Sequence, residues 1–131
     1  KDATADLARP TRLQNLISDD FIQLSGEDGT ALAYLAAGGH GCISVTANIA
    51  PKLISEMHSA WRAGDISLCQ EINKKLMPLH DALFCETSPG PLKYAASLLE
   101  ICSQEARLPI VDIEDASKKN VEKALENIGL L

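Results

Sequence analysis

Two short apolar segments, residues 21–25 and residues 42–45, constrain the fold of this chain more than any other feature. Each is too brief for a helix, and the second shows almost no polar alternation, which is typical of a strand buried on both faces. Helical patterns precede and separate them, so the first third of the chain alternates helix, strand, helix, strand. Short connections within that alternation predict parallel strands with helical crossovers, and therefore an α/β fold.

The remaining patterns are helical. The first helix follows Pro10 and is broken at Asp19 and Asp20, and Asp28 is predicted to cap the helix between the two strands. Asp65 is predicted to cap a long helix that is bent or interrupted at Pro78. The predicted helices after the first are residues 30–37, 49–63, 67–84, 92–103 and 117–127, and residues 107–111 are predicted to be extended. We therefore expect two α/β units followed by a helical region.

Two parallel strands alone do not make a stable sheet, because each edge exposes a row of unpaired backbone groups. A closed (β/α)8 barrel removes these edges but takes about 250 residues. The 131 residues of this chain are roughly half of that length. We expect the strands to depend on a preceding half-barrel, and a small independent α/β domain is the alternative.

Composition excludes several classes of function. The formal net charge of −6 and the predicted pI near 4.9 argue against nucleic acid or an anionic membrane as the main partner. No apolar run reaches the ~20 residues that a membrane span requires, and no segment resembles a signal peptide. The sequence thus favours a cytoplasmic protein.

The cysteines and histidines do not form a metal-binding pattern. No pair of cysteines has C-x-x-C spacing, and His40, His58 and His80 are dispersed along the chain. We interpret the cysteines as buried reduced thiols, as expected in a reducing compartment. They are Cys42, Cys69, Cys85 and Cys102.

Several segments, in order and without evident gaps, resemble the second half of the dihydrodipicolinate synthase/N-acetylneuraminate lyase family. They are KDAT, ISDDFIQLSGEDGTAL, GGHGCISVTANIAP, NKKLMPLHDALFCETSPGPLKYAASLL and RLPIV. The third and fourth are specific, whereas KDAT alone has little weight, and the third favours the synthase branch. The resemblance implies that residues 1–64 are the C-terminal portion of the (β/α)8 barrel, with strands seven and eight. Residues 65–131 would form an α-helical C-terminal domain.

The resemblance also implies an enzyme, a Schiff-base-forming lyase that condenses pyruvate with L-aspartate 4-semialdehyde in lysine and diaminopimelate biosynthesis. Lys1 occupies the place of the lysine that forms the imine with pyruvate. Burial at the barrel mouth would favour the neutral amine that this chemistry needs. No cofactor and no metal are implied. The expected partners are the two substrates, the N-terminal half of the barrel and further copies in a homotetramer.

Two more positions have roles only through the resemblance. Ile43 corresponds to the residue whose backbone carbonyl approaches pyruvate, and its side chain is expected in the core. Gly26 would border the aldehyde pocket. The glycines around His40 would let the backbone turn closely beneath the ligand, and His40 itself is expected to serve packing.

Other interpretations remain open at this stage. The loops at Gly26 and His40 could bind phosphate, as loops after strands seven and eight often do in barrels, although neither contains Lys or Arg. The enzyme could be another pyruvate lyase or 2-keto-acid aldolase with a different aldehyde. The chain could also be a non-catalytic module that associates through the helix at residues 65–88. Tyr34 and Tyr94 lie on amphipathic helices and are interpreted as packing residues.

Overall fold

A computed structural model describes residues 1–18 and 20–131 of the chain, so part of the predicted break at Asp19 and Asp20 lies outside the described residues. The described residues form two compact units, Lys1–Ser44 and Val45–Leu131. The first contains α1 (Arg9–Gln14), β1 (Leu24–Ser25), α2 (Ala31–Ala36) and β2 (Gly41–Cys42). The second contains a 3-10 turn (Thr46–Asn48), α3 (Pro51–Ala63), α4 (Ile66–Leu83), α5 (Gly90–Leu98) and α6 (Asp115–Ile128).

The predicted α/β alternation is confirmed in the first unit. β1 and β2 are parallel, with Leu24 opposite Gly41 and Ser25 opposite Cys42. Helix α2 forms the crossover between them and packs on β2. The strands are shorter than predicted, because pairing extends to only two residues of each. Phe21 and Ile22 precede the paired part of β1, and their side chains are 56% and 58% exposed.

The N-terminus of α2 differs from the prediction. The carboxylate of Glu27 accepts the amides of Gly29 and Thr30 at 2.8 Å and 2.6 Å and the Thr30 hydroxyl. Asp28, the predicted cap, is 2% exposed and accepts a hydrogen bond from the hydroxyl of Ser44. A carboxylate near the first turn fits the positive end of the helix dipole, but the residue is one position earlier than predicted.

Capping residues account for the helix boundaries of the second unit. Gly64 ends α3 in the left-handed conformation with φ of 76°, which glycine adopts without a Cβ penalty. The side chain of Asp65 then accepts the Leu68 amide at 3.0 Å and begins α4, as predicted. Helix α4 continues through Pro78. The fifth helix ends at Leu98, earlier than predicted, and a turn occupies Leu108 and Pro109 where an extended segment was expected.

The core of the second unit is aliphatic and lies among its helices. Helix α4 packs against α3 and α6, and α5 packs against α6. The largest fully buried side chains there include Met57, Leu76, Leu79, Leu83, Val121 and Leu125. Thr46 and His80 are both buried, and Thr46 Oγ1 lies 2.7 Å from His80 Nδ1. These contacts group α3 with the later helices.

The two compact units of this chain divide between Ser44 and Val45, whereas the predicted domain boundary lies at Gly64. The reason is that α3 buries Ile54, Met57 and Ala60 and packs on α4. The assignment of residues 1–64 to one domain of the complete fold and 65–131 to another stays a prediction.

Candidate active site

Three segments of backbone run side by side in the first unit, with β1 in the centre. On one side β1 pairs with β2. On the other side the Asp2 amide donates to the Leu24 carbonyl at 2.8 Å, and the Gly26 amide donates to the Asp2 carbonyl at 2.7 Å. Asp2 is therefore in a parallel bridge with Ser25. In α/β sheets, ligands bind outside the carboxyl ends of parallel strands.

The side chain of Lys1 reaches toward that end. A methyl group built on Gly26 would lie 2.3 Å from Lys1 Cε and 3.0 Å from Lys1 Cγ, so the lysine stem passes directly over this glycine. Lys1 is exposed in this chain, and its expected burial at the mouth of a complete barrel stays a prediction. The first lysine after it is Lys52, so Lys1 supplies the only primary-amine side chain of the first unit.

Ile43 comes directly after β2, as Gly26 comes directly after β1. The Ile43 amide donates to the Ser25 carbonyl at 2.8 Å, which continues the parallel pairing by one bond. Ile43 is 49% exposed in this chain, so its expected place in the core of a complete barrel stays a prediction. The structure thus brings Lys1, Gly26 and Ile43 to the same end of the sheet, the carboxyl end of the parallel strands.

The loop glycines and His40 are engaged with the protein itself. The amides of Gly26, Gly39 and His40 donate to the carbonyls of Asp2, Tyr34 and Gln23 at 2.7, 2.9 and 2.9 Å. These three amides are therefore not directed at a phosphate, which counts against a phosphate site in these loops. His40 Nδ1 also accepts the Gln23 amide at 3.1 Å, which fits the packing role.

The structure explains the glycines around His40 by backbone conformation and close packing. Gly38 has φ of 93°, a conformation that disfavours a side chain. A Cβ on Gly39 would lie 2.2 Å from Cδ1 of Tyr34, which is itself buried. Burial raises the pKa of Tyr34, and the charge of Asp2 raises it further. Tyr34 is thus an interior packing residue, as expected.

The cysteines are free, but only some are buried. Cys69 is buried and its thiol donates to the Met57 carbonyl at 3.2 Å, whereas Cys85 and Cys102 are exposed, contrary to the prediction. Burial, followed by the charge of Asp28, raises the pKa of Cys42 to about 11. A thiol with such a pKa is protonated near neutral pH and is a weak nucleophile.

Sequence reasoning missed Asp2. Its Oδ1 accepts the Thr4 amide at 2.9 Å and the Thr4 hydroxyl at 2.7 Å, and these bonds lower the pKa of the carboxyl. Its Oδ2 lies 3.3 Å from Arg9 Nε. An acidic residue followed two positions later by threonine is the signal for such a turn.

Among residues 1–18 and 20–131, no group of three or more His, Cys, Asp or Glu side chains is arranged to hold a metal ion. Within the same residues, no helix has both the length and the apolar character needed to cross a membrane.

The sequence of the chain matches a known enzyme family. The model of the dihydrodipicolinate synthetase family matches residues 1–128. The chain is 55% identical, over its full length and 45% of the relative's length, to a curated 4-hydroxy-tetrahydrodipicolinate synthase of Acidiphilium cryptum. The chain belongs to the dihydrodipicolinate synthetase family.

Solved structures of similar proteins agree with this assignment. Dihydrodipicolinate synthase from Thermotoga maritima superposes with a TM-score of 0.95 at 36% identity, over 100% of this chain and 45% of that one. The chloride-inhibited enzyme from Acinetobacter baumannii, complexed with pyruvate, superposes with a TM-score of 0.92 at 35% identity, with the same coverage. The chain thus spans less than half the length of the relatives it matches.

Proposed function

We propose that this chain is the C-terminal part of a 4-hydroxy-tetrahydrodipicolinate synthase. The full-length enzyme would condense pyruvate with L-aspartate 4-semialdehyde in lysine and diaminopimelate biosynthesis. The observation that carries the proposal is the position of Lys1, whose stem crosses Gly26 at the carboxyl edge of the strands. Family membership and a pyruvate complex of a similar structure support the same substrate.

In the proposed fold, the backbone at Asp2 continues barrel strand six, β1 belongs to strand seven and β2 to strand eight. The parallel order Asp2, β1, β2 supports this assignment. Barrel enzymes build their active sites at the carboxyl ends of such strands. The N-terminal half of the barrel would supply the remaining strands and bury the apolar side chains of Phe21 and Ile22. A cytoplasmic homotetramer and a separate helical C-terminal domain are part of the same proposal.

The proposed chemistry begins with the neutral amine of Lys1. Nζ attacks the keto carbon of pyruvate, and loss of water gives an imine between Nζ and that carbon. The imine withdraws electrons, so the methyl group loses a proton and becomes the nucleophilic carbon of an enamine. This carbon attacks the aldehyde of the second substrate. Water then cleaves the imine, or the substrate's own amine displaces Nζ, and Lys1 is regenerated.

Gly26 and Ile43 have binding roles in this proposal. The Ile43 carbonyl would approach the bound pyruvate, supported by its place one residue beyond β2. Gly26 would border the aldehyde pocket, supported by its place one residue beyond β1. Both contacts use backbone geometry, so the exposed side chain of Ile43 is compatible with them.

Borohydride reduction of the full-length protein with pyruvate tests the proposal. Reduction converts the imine to a stable secondary amine, and peptide mass mapping should find the adduct on Lys1. Consumption of aspartate semialdehyde then distinguishes the synthase from a pyruvate aldolase with another aldehyde. A folded protein whose Lys1 remains unmodified would contradict the proposal.

A further inference from the structure

Asp2 joins the lysine to the sheet through its main chain. Its amide and carbonyl both bond to the β1 side, to the Leu24 carbonyl at 2.8 Å and the Gly26 amide at 2.7 Å. Lys1 is the residue before Asp2. The position of Lys1 along the strand direction therefore depends on how rigidly the backbone of Asp2 is fixed.

The carboxylate of Asp2 ties this pairing to the backbone that follows it. Oδ1 accepts the amide and hydroxyl of Thr4, and Oδ2 lies 3.3 Å from Nε of Arg9, on the first turn of α1. The Asp2 side chain is 10% exposed but that of Arg9 is 50% exposed, so solvent screens the ion pair in part. The carboxylate thereby connects the residue after the lysine to the turn that follows and to α1.

We propose that Asp2 is a positioning residue for Lys1: its carboxylate fixes the backbone of residues 1–4 so that the lysine stem lies over Gly26. The inference rests on the proposed role of Lys1 as the imine-forming residue. Asp2 does not touch the substrate in this proposal. It acts by holding the amine where the keto acid arrives, and a displacement of about 1 Å at such a centre can cost a reaction about 100-fold in rate.

The chain offers a matched control in Asp6. Its Oδ1 accepts the Ala8 amide at 3.0 Å, and its Oδ2 lies 2.9 Å from Nη1 of Arg12. Asp6 therefore has the same two kinds of side-chain contact on the same segment. It has no bond to β1 among the described contacts and its side chain is 45% exposed. Only Asp2 adjoins the lysine.

The experiment compares the full-length wild type with Asp2→Ala, Asp2→Asn and Asp6→Ala. The rate of borohydride-trapped adduct on Lys1 is measured at saturating pyruvate and normalised to the folded fraction from thermal unfolding. We expect about a 10- to 100-fold fall for Asp2→Ala. Asp2→Asn should have an intermediate rate, because its side-chain oxygen still accepts from Thr4 while the ion pair to Arg9 is lost. Asp6→Ala should trap at the wild-type rate.

Each other outcome counts against a specific claim. Wild-type protein that forms no adduct on Lys1 overturns the proposed function, and this inference with it. An adduct in the wild type that forms equally fast in folded Asp2→Ala overturns the positioning role alone. Should Asp2→Ala fail to fold, Arg9→Ala removes the ion pair to Oδ2 and decides the matter. An unchanged trapping rate per folded molecule in Arg9→Ala would then refute the positioning role, and a lowered one would support it.

Discussion

The stem of Lys1 lies directly over Gly26, closely enough that a Cβ on the glycine would be 2.3 Å from Lys1 Cε. The closest atom in conflict is near the end of a flexible side chain, so the lysine would move first, and Ala3 Cβ at 3.0 Å would have to shift slightly. Because Gly26 has no side chain, there is space for the lysine stem at the carboxyl end of the strands.

Gly26→Ala should displace the amine without unfolding the protein. We expect the rate of pyruvate adduct formation on Lys1 to fall about 10-fold or more, because the reacting nitrogen is moved from its position. The free energy of unfolding in urea should fall by less than the adduct rate would suggest, because only Ala3 Cβ, at 3.0 Å, must shift besides the lysine. Gly41→Ala is the control for folding, since its Cβ would meet Leu24 Cδ2 at an ordinary 3.4 Å. Wild-type adduct formation in Gly26→Ala would contradict this account.

Replacing the lysine tests the amine itself. Lys1→Ala and Lys1→Arg in the full-length protein should abolish borohydride trapping and turnover, because neither side chain can form the imine. Both should remain folded, which thermal unfolding of the full-length variants checks. Mass mapping of the reduced protein and a coupled assay measure the two effects. Full turnover in either variant would show that the chemistry does not use this residue.

Asp65 is expected to stabilise the second unit through its cap. Asp65→Ala removes the acceptor for the Leu68 amide and should cost about 1 kcal/mol of unfolding free energy. Urea unfolding monitored by circular dichroism measures this change. Glu71→Ala, at an exposed position of the same helix, should stay within about 0.5 kcal/mol of the wild type. Equal effects of the two substitutions would argue against a cap.

Tyr94 is predicted to lose its hydroxyl proton at a higher pH than an ordinary tyrosine. Its hydroxyl donates to Glu122 Oε1 at 2.5 Å, and this bond, followed by burial, raises the pKa of Tyr94 to about 12. A tyrosine in the unfolded chain has a pKa of about 10. The stability that the protonated hydroxyl contributes is therefore complete below pH ~10 and is lost as the pH rises through about 12.

The ultraviolet absorbance of tyrosinate gives the measurement. Tyr94→Phe should remove the absorbance step near pH 12, and the stability difference between wild type and variant should shrink across the same interval. Tyr34→Phe is the comparison, since Tyr34 has no bond to Glu122. Loss of a step near pH 10 in Tyr94→Phe would contradict the assigned contact.

Much of the fold could be predicted from local patterns. The parallel strand pair, the Asp65 cap and the end of α3 at Gly64 all follow from residues close together in the sequence. The number of paired residues in each strand could not be predicted in this way, because the length of a strand depends on neighbours elsewhere in the chain. Glu27 replaced Asp28 at the start of α2 for a similar reason: Ser44, sixteen positions later, binds the Asp28 side chain.

The candidate site was likewise predicted only in part. Lys1, Gly26 and Ile43 were selected by family resemblance, and the structure brings them to one edge. Lys1 and Ile43 are exposed in this chain, and their burial in a complete barrel stays a prediction, because burial depends on everything packed around a residue. Asp2 was missed although it adjoins the lysine, since its ion pair with Arg9 is visible only once α1 is folded.

The two main-chain bonds of Asp2 have a consequence for dynamics. The amide hydrogens of Asp2 and Gly26 are both held in these bonds, so they exchange with solvent deuterium only when the backbone segments separate. Each such opening also releases the lysine from its register. The exchange rates of these two amides therefore measure how often the protein loses, and then restores, the alignment of its amine.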